Sequence, residues 1–305
     1  MRHTKRRTIW AVNGSDRFDI VDDCRPPERG GHPLKRVDTH THPKISKHFA
    51  FDPGSVARMV RMGKRVGLDG LALTEHFHGK DFWAIYESLV DIYPVERGVF
   101  WADGLALIPG AEVNIREGAH VIVMAAVAEL RHLDRDFPVP LSEGYEPTLR
   151  EFLDRTDDRE LVRIGAHMFR PHKELGKFAA ADLKRFHALE VNGKDFGTEL
   201  MLLVQARALG LPIVAGSDAH HWLQLGVRHS LLHIDEIGIS AVIRTIKEGL
   251  TGFATGAYTP VRVKGAKAIK NLTKRLRSYY TPPPPSANQW GPWRAREVGG
   301  KPVAG

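Results

Sequence analysis

Cysteine is almost absent from this chain of 305 residues, since Cys24 is the only one. A single thiol excludes an internal disulfide and a metal cage built from several thiolates. It suits the reducing cytoplasm, which is the compartment we expect. No apolar run approaches the roughly 20 residues that a transmembrane helix needs, so we expect no membrane span. The apolar stretch after the basic start is too short for a signal peptide.

Acidic residues are scarce at both ends of the chain. Residues 1–7 hold four Lys/Arg and no acid, and residues 263–305 hold nine Lys/Arg and one acid, Glu297. The two ends contribute +12 to a net charge of +8, which leaves −4 on residues 8–262. The high isoelectric point therefore describes the tails and does not indicate a basic nucleic-acid groove in the body of the protein.

Short apolar runs alternate with helical patterns through most of the chain. Eight runs predict strands: RVDTH, GLALT, LALIPG, HVIVMAA, VRIGA, ALEVN, PIVAG and SLLHI. Asp52 is a predicted N-cap before Pro53, and further helical patterns begin near Pro147, Gly197 and Ile239. The alternation of strand and helix predicts a parallel α/β fold, and seven or eight units favour a barrel over an open sheet.

The same patterns divide the chain into three regions. Residues 1–35 are predicted to form an N-terminal extension with a β-hairpin at 8–21 and a polar linker, and residues 36–262 the barrel. Residues 263–305 are predicted to form a basic amphipathic helix and a disordered tail rich in Pro and Gly. Such a helix can touch nucleic acid or an anionic membrane, but we favour a solvated extension because no recognised nucleic-acid motif accompanies it.

Histidine and carboxylate side chains recur mostly where the predicted strands end. Nine of them stand out: His40, His42, His48, His76, Glu112, His120, His167, Asp218 and His220. Imidazole and carboxylate are the usual ligands of Zn, Mn and Fe, and nine are too many for one ion. The C-terminal strand ends of a parallel barrel converge on one rim, so these groups can meet there. His120 is the exception, because it opens a strand.

The motif series DTHTH, LTEH, GAE, AH before RPH, EVN and GSDAH resembles the PHP family, the polymerase and histidinol phosphatase metalloenzymes. The resemblance covers about Arg36 to Val261, with the motifs in the family's order. It implies a distorted (β/α)7 barrel of the PHP type with two or three divalent metal ions, which would be Zn, Mn or Fe. Glu75 departs from the pattern, since many members have aspartate at its position.

The resemblance also implies how the nine ligands would share the ions. The ligands of the first ion would be His40, His42, Glu112 and Asp218. Those of the second would be Glu112, acting as a bridge, His120 and His167. Those of the third would be His48, His76 and His220.

Clustered divalent ions suit the hydrolysis of phosphate esters, because metals neutralise the charge that spreads over the oxygens in the transition state. A bound ion also lowers the pKa of water from about 15.7 to about 7, so we expect a metal-bridging hydroxide as nucleophile. The expected catalytic residues are Glu112, Asp218 and Arg170, whose planar guanidinium matches phosphate oxygens. Lys194 is a second candidate contact for an anion, and Asp38 is expected to orient a ligand histidine.

We therefore predict hydrolysis of a phosphomonoester of a small metabolite, such as a phosphorylated amino alcohol or a nucleotide. The stretches from about Gly79 to Asp103 and Leu130 to Pro147 carry no motif and are expected to be loops that contact its organic part. A nuclease or phosphodiesterase with the basic tail on nucleic acid stays open as an alternative, and salt sensitivity would reveal it. Two further alternatives also stay open. One is an amidohydrolase, although that class usually adds a bridging lysine; the other is a non-catalytic adaptor that keeps metals for stability.

Overall fold

The computed structural model describes residues 8–10, 19–21, 33–46, 49–137 and 146–279. Within them, thirteen strands belong to one sheet. Their bounds are β1 Thr8–Trp10, β2 Asp19–Val21, β3 Leu34–Thr41, β4 Gly70–Leu73, β5 Val95–Glu96, β6 Val99–Ala102, β7 Leu105–Asn114, β8 His120–Ala125, β9 Leu161–Gly165, β10 Ala188–Asn192, β11 Ile213–Gly216, β12 Arg228–His233 and β13 Thr251–Thr255.

The described residues also contain eight α-helices and two short 3-10 turns, at Leu175–Lys177 and Trp222–Gln224. The helices are α1 Pro53–Arg65, α2 Phe82–Ile92, α3 Val127–Asp136, α4 Leu149–Thr156, α5 Ala180–Leu183, α6 Glu199–Leu209, α7 Ile239–Lys247 and α8 Thr259–Tyr279. In the part of the chain that the structure covers, no helix combines the length and apolar character needed to cross a bilayer.

Seven strands follow one another around a nearly closed barrel, in the order β3, β4, β7, β8, β9, β10, β11. Neighbouring strands are parallel except at β8, which is antiparallel to both β7 and β9. Between β11 and β3 the ring is completed by hydrogen bonds from the His42 N–H to Ala219 O (2.8 Å) and from Thr39 Oγ1 to Ala215 O (2.9 Å). The prediction of a distorted (β/α)7 barrel is confirmed.

Two apolar clusters hold the barrel together. The larger one joins outward-facing strand residues such as Leu71 and Leu107 to the buried faces of the surrounding helices, including Met59 on α1. The smaller one contains Val37, Ile122 and Val214, together with residues of α7, which contacts β8, β9 and β12. Each fully buried Leu or Ile stabilises the fold by roughly 1.5–3 kcal/mol relative to an exposed one.

The predicted strands and helices are largely present. All eight apolar runs lie on strands, and the Asp52 carboxylate caps α1 by accepting from the Gly54 N–H at 2.9 Å. Thr148 and Glu151 form a capping box that starts α4. The predicted hairpin pairs β1 with β2, and β1 also pairs with β13. The N-terminal extension therefore adds strands to the sheet of the barrel.

Two expectations about the connecting segments were wrong. The stretch 79–103, expected to be a loop, contains α2 and the hairpin of β5 and β6, and α3 takes up part of 130–147. On α2, apolar side chains also occupy the outer face, where Val90 is 60% exposed and Ile92 is 55% exposed, which obscures its amphipathic period. The basic helix begins at Thr259, so the boundary proposed at 262 lies within α8, and residues 280–305 lie outside the described part.

Candidate metal centre

Eight of the nine predicted ligands lie together at the rim that the C-terminal ends of the parallel strands form. The ninth, His48, lies outside the described residues. The eight come from five of the barrel strands or the residues just after them and from the start of a sixth strand, β8: His40, His42, His76, Glu112, His120, His167, Asp218 and His220. Ring closure between β11 and β3 brings the first and the last of these together.

The reversed strand β8 explains the position of His120. Because β8 is antiparallel to its neighbours, its first residue lies at the same rim as the last residues of the parallel strands. His120 pairs with Asn114 at the end of β7, and its Nδ1 lies 2.6 Å from Glu112 Oε1. A histidine that opens a strand therefore reaches the same cluster as histidines that end strands.

The first ligand group contains His40, His42 and Asp218, with Glu112 beside it. His40 Nε2 and His42 Nε2 are 3.1 Å apart, and His42 Nε2 is 3.4 Å from Asp218 Oδ1. Glu112 places Oε2 3.4 Å from His42 Nε2 and Oε1 3.6 Å from His40 Nε2. The four side chains predicted for the first ion thus face one point.

The second group is Glu112, His120 and His167, as the resemblance implied. His167 Nε2 lies 3.2 Å from Glu112 Oε1 and 3.2 Å from His120 Nδ1. A third group places ligand atoms of His42, His76 and His220 within 4.8 Å of one another. His42 belongs to the first and third groups, and Glu112 lies between the first and second.

These donor atoms fit divalent metal ions. Two ligand atoms bound tetrahedrally at about 2.0–2.2 Å from a metal lie roughly 3.3–3.6 Å apart. In the first group, the distance between the Nε2 atoms of His40 and His42 and the distances from these atoms to the Glu112 oxygens are 3.1–3.6 Å. Four buried ring nitrogens of the cluster have no hydrogen-bond partner among the described residues. One is His76 Nδ1; the others, His42 Nδ1, His120 Nε2 and His167 Nδ1, are the ring atoms opposite those that face the first two groups. Buried polar atoms are rarely left without a partner.

The electrostatics of the centre favour bound positive charge. Burial alone would raise the pKa of Glu112, but the imidazoles of His120 and His40 hold it well below its usual value. Burial would likewise raise the pKa of Asp218, which the Lys194 ammonium and His40 hold well below its usual value. Burial lowers the pKa of His76 to about 4, so its ring is neutral and keeps a lone pair for a metal.

Local backbone geometry also serves the site. His167 and Asp218 adopt left-handed backbone conformations with φ of 33° and 52°, which are uncommon for residues other than glycine. A Cβ on Gly216 would lie 2.4 Å from His40 Cβ and 2.9 Å from Glu190 Oε1, so only glycine allows β11 to approach the first group this closely. Strained and crowded backbone of this kind is characteristic of functional sites.

Sequence reasoning missed Glu190, a fully buried carboxylate beneath the first group. Its Oε1 accepts a hydrogen bond from His40 Nδ1 at 2.7 Å, and its Oε2 accepts from the His167 N–H at 3.1 Å. This fixes the tautomer of His40, whose Nε2 then faces His42 with its lone pair. The signal was present in ALEVN, because a carboxylate inside an otherwise apolar strand can be buried only with partners.

A Glu190→Gln variant should bind metal roughly 10- to 100-fold more weakly, because the neutral amide no longer increases the basicity of His40. The measurement is metal affinity by competition with a chromophoric chelator, with Glu96→Gln on exposed β5 as the matched control. The melting temperature of the metal-free protein should change little. Metal affinity equal to that of wild type would contradict the orienting role of Glu190.

Arg170 and Lys194 lie against the first group as expected of anion contacts, but both are engaged by protein groups. Arg170 donates to Asp195 Oδ1, Asp218 Oδ2 and Asn192 Oδ1, each at 2.9 Å. Lys194 Nζ donates to Asp218 Oδ1 at 2.7 Å and to His220 Nδ1 at 3.2 Å. Two permanent cations therefore contact one proposed metal ligand, Asp218.

Asp38 and Glu75 hold the backbone of the site. Asp38 contacts the ligand His40 through its backbone, accepting from the His40 N–H at 3.4 Å, and it also accepts from the N–H groups of Ser217 and Gly226, both at 2.8 Å. Glu75 accepts from the Lys44 N–H at 3.2 Å and lies 3.8 Å from His42 Nδ1. That distance exceeds a hydrogen bond.

Three histidines next to ligand motifs in the sequence, His78, His172 and His221, are candidates for the general acid that protonates the leaving group, and they occupy different surroundings. His78 bonds Asp134 of α3 at 3.1 Å, and His172 is exposed. His221 lies beside a pocket that includes His42 and His220. His221 is thus the candidate that adjoins the cluster through a cavity.

Part of the sequence and the fold of the chain are similar to those of known proteins. Residues 205–251 match the family model PHP_C, described as PHP-associated. No curated protein matches the chain significantly. The crystal structure of PsfC from Pseudomonas syringae PB-5123 is similar, with 24% identity, a TM-score of 0.69, and coverage of 79% of this chain and 99% of that one.

Two endonuclease structures share the fold at lower similarity. The lesion-specific endonuclease PfuEndoQ from Pyrococcus furiosus is 20% identical with a TM-score of 0.57, and 71% of this chain covers 56% of that one. Endonuclease Q in complex with a 27-mer duplex with an abasic lesion is 17% identical with a TM-score of 0.56, over 71% of this chain and 57% of that one. The match to the PHP-associated family model over residues 205–251 and the shared barrel fold support the resemblance to the PHP family.

Proposed function

We propose that the protein is a metal-dependent phosphoric ester hydrolase that acts on a phosphomonoester of a small metabolite. The observation that carries the proposal is the junction of three ligand groups at Glu112 and His42 on one rim of the barrel. Bound divalent ions there would supply a hydroxide at neutral pH and neutralise charge on the phosphoryl oxygens.

Each of the eight described ligands has a proposed place in this centre. The first site would be held by His40, His42, Glu112 and Asp218. The second would be held by Glu112, His120 and His167. The third would be held by His76 and His220, with His42 beside them in the structure and His48 proposed from the motif alone.

The depth of the centre favours a small substrate. His40 is 0% exposed, His42 and Glu112 are each 2% exposed, and Asp218 is 3% exposed. A terminal phosphate on a small organic group can reach such recessed atoms more readily than a phosphodiester flanked on both sides by a polymer backbone. We therefore propose that the substrate is a small phosphomonoester whose phosphate group is terminal.

Arg170 is proposed to hold the phosphate. Its guanidinium has five N–H groups, of which three donate to protein oxygens in the structure, so two remain for a substrate oxygen. The side chain is 25% exposed, which lets it reach an anion at the rim. Its bonds to Asp195 and Asn192 fix the plane of the fork in advance.

An Arg170→Ala variant should raise KM for phosphate esters by roughly tenfold or more, since one charge-assisted hydrogen bond contributes about 1.5–3 kcal/mol. kcat should fall less than KM rises, and Arg170→Lys should recover only part of the loss because it lacks the fork. Steady-state kinetics on one monoester decide the matter. An unchanged KM across phosphate substrates would reject the clamp.

A nuclease or phosphodiesterase is the second candidate, and α8 favours it. This helix holds seven Lys/Arg and no Asp/Glu, and Arg262 at its base donates to Leu223 O and Leu225 O beside the metal centre. Nucleic acid held by several such cations would give activity that falls steeply with salt. A phosphomonoester without such contacts should show only a weak dependence.

The proposal is tested with purified protein loaded separately with Zn, Mn or Fe. We expect hydrolysis of p-nitrophenyl phosphate and of small phosphomonoesters, with little activity on bis-p-nitrophenyl phosphate. Preferential cleavage of the diester or of oligonucleotides, with steep salt dependence, would favour the nuclease. Hydrolysis of amides without phosphomonoesters would favour an amidohydrolase, and a loaded but inert protein would favour an adaptor.

A further inference from the structure

A pocket of about 80 Å³ opens beside the third ligand group. His42 and His220 form part of its lining, so an organic group inside it would lie next to the metal centre. Most of the other walls are apolar, and they come from the loop after β3, from α1 and from the turn after β11: Pro43, Ile45, Met59, Trp222 and Leu225. Small-molecule sites hold their ligands chiefly through apolar and aromatic contacts of this kind.

One wall of the pocket is tied both to the metal centre and to α8. The His220 N–H donates to Gln224 Oε1 at 3.0 Å, which joins a proposed ligand to the 3-10 turn Trp222–Gln224. Arg262 Nε donates to Leu223 O at 2.9 Å, and its Nη2 donates to Leu225 O at 2.7 Å. Trp222 therefore lies on a turn that hydrogen bonds fix both to His220 and to Arg262 of α8.

The charged side chain in the lining of the pocket is basic. Among the described lining residues, Arg58 is the permanent charge, and no Asp or Glu lines the cavity. Arg58 pairs with Asp52 at 2.6 Å, but both side chains are largely exposed. Exposed pairs of this kind stabilise little, so the guanidinium stays available to a ligand. A positively charged organic group in the pocket would meet the Arg58 guanidinium, while the Asp52 carboxylate lies outside the lining and is already paired with Arg58.

We propose that this pocket receives the organic part of the phosphate ester and selects an aromatic group without positive charge. The inference rests on the proposed function for its substrate class. Trp222 supplies a face for the aromatic ring, Met59 and Leu225 supply apolar walls, and Arg58 opposes cations. The pocket thereby disfavours phosphorylated amino alcohols, which were among the substrates expected from the sequence.

The test compares three esters of primary alcohols: 2-phenylethyl phosphate, butyl phosphate and 2-aminoethyl phosphate. We expect the metal-loaded protein to give a kcat/KM about tenfold higher for the phenyl ester than for the butyl ester, and lowest for the amino ester. Trp222→Ala should reduce the phenyl-to-butyl ratio about fivefold, and Trp222→Phe should restore most of it. Arg58→Met should relax the discrimination against the amino ester, whereas Arg61→Met, an exposed position of α1 outside the pocket, should not.

A binding experiment separates this inference from the proposed function. Calorimetry of the metal-loaded protein with 3-phenylpropylphosphonate and pentylphosphonate reports the pocket without hydrolysis, and the phenyl compound should bind about tenfold more tightly. If no phosphate ester is hydrolysed but this preference appears and Trp222→Ala abolishes it, the pocket stands and the proposed reaction fails. Equal kcat/KM for the three esters, or a preference that Trp222→Ala leaves unchanged, would overturn the inference.

Discussion

Replacing Glu112 with glutamine should lower kcat by at least about a hundredfold and reduce the metal bound per chain. The reason is that both carboxylate oxygens face proposed ligands: Oε1 lies 2.6 Å from His120 Nδ1, and Oε2 lies 3.4 Å from His42 Nε2. An amide keeps the shape of the side chain but offers one acceptor oxygen in place of two and loses the negative charge. The measurements are kcat on a phosphomonoester and elemental analysis of the purified variant.

The controls for this prediction test whether the Glu112→Gln variant folds like wild type and whether the loss of activity is specific to this position. Glutamine has nearly the volume of glutamate, so the circular dichroism spectrum should match wild type, and Glu96→Gln on exposed β5 should leave kcat unchanged. A stable Glu112→Gln protein with little activity would support a bridging carboxylate. Wild-type turnover by that variant would refute the bridge.

Removal of metal with a strong chelator should abolish activity and also lower the melting temperature. Without ions, buried carboxylates and imidazoles lie within 2.6–3.6 Å of one another, and four buried ring nitrogens have no hydrogen-bond partner in the part of the chain that the structure describes. A metal that binds the folded state alone stabilises it by about 4.1 kcal/mol when present at a thousand times its Kd. Activity and differential scanning calorimetry are measured before chelation, after it, and after adding back Zn, Mn or Fe one at a time.

The adding-back step serves as the control, because chelator damage would not reverse. Restoration by one of the three metals would also identify the ion that supports turnover, which His/Asp/Glu ligands alone do not select. Full activity in the presence of the chelator, with no change in melting temperature, would contradict a catalytic metal centre.

The sequence predicted eight side chains that the structure brings together at one rim, because metal chemistry restricts residue type strongly. Strand ends carrying His40, His42 and Asp218 converge for a topological reason that needs no detailed packing. His120 was placed by resemblance alone, since its position depends on the reversal of β8, and short apolar runs do not reveal strand direction. The direction of β8 becomes known only from its pairing with β7 and β9 in the structure.

Positioning groups were harder to predict because they depend on contacts distant in the chain. Glu190 meets His40 across 150 positions, and Gly216 is required only because β11 passes so close to that histidine. Asp38 lies next to the ligand motif in sequence, yet its carboxylate binds the backbone of Ser217 and Gly226. The pocket beside Trp222 likewise arises where α1 and the turn after β11 meet, and no local motif marks it.

The central claim is that these side chains together hold several metal ions, and metal stoichiometry tests it most directly. Protein purified without added chelator and reconstituted with Mn or Zn should contain at least two equivalents per chain by elemental analysis. His120→Ala should lose about one of them while it keeps the other. One equivalent or none in the folded wild-type protein, after reconstitution with each of Zn, Mn and Fe, would contradict the account.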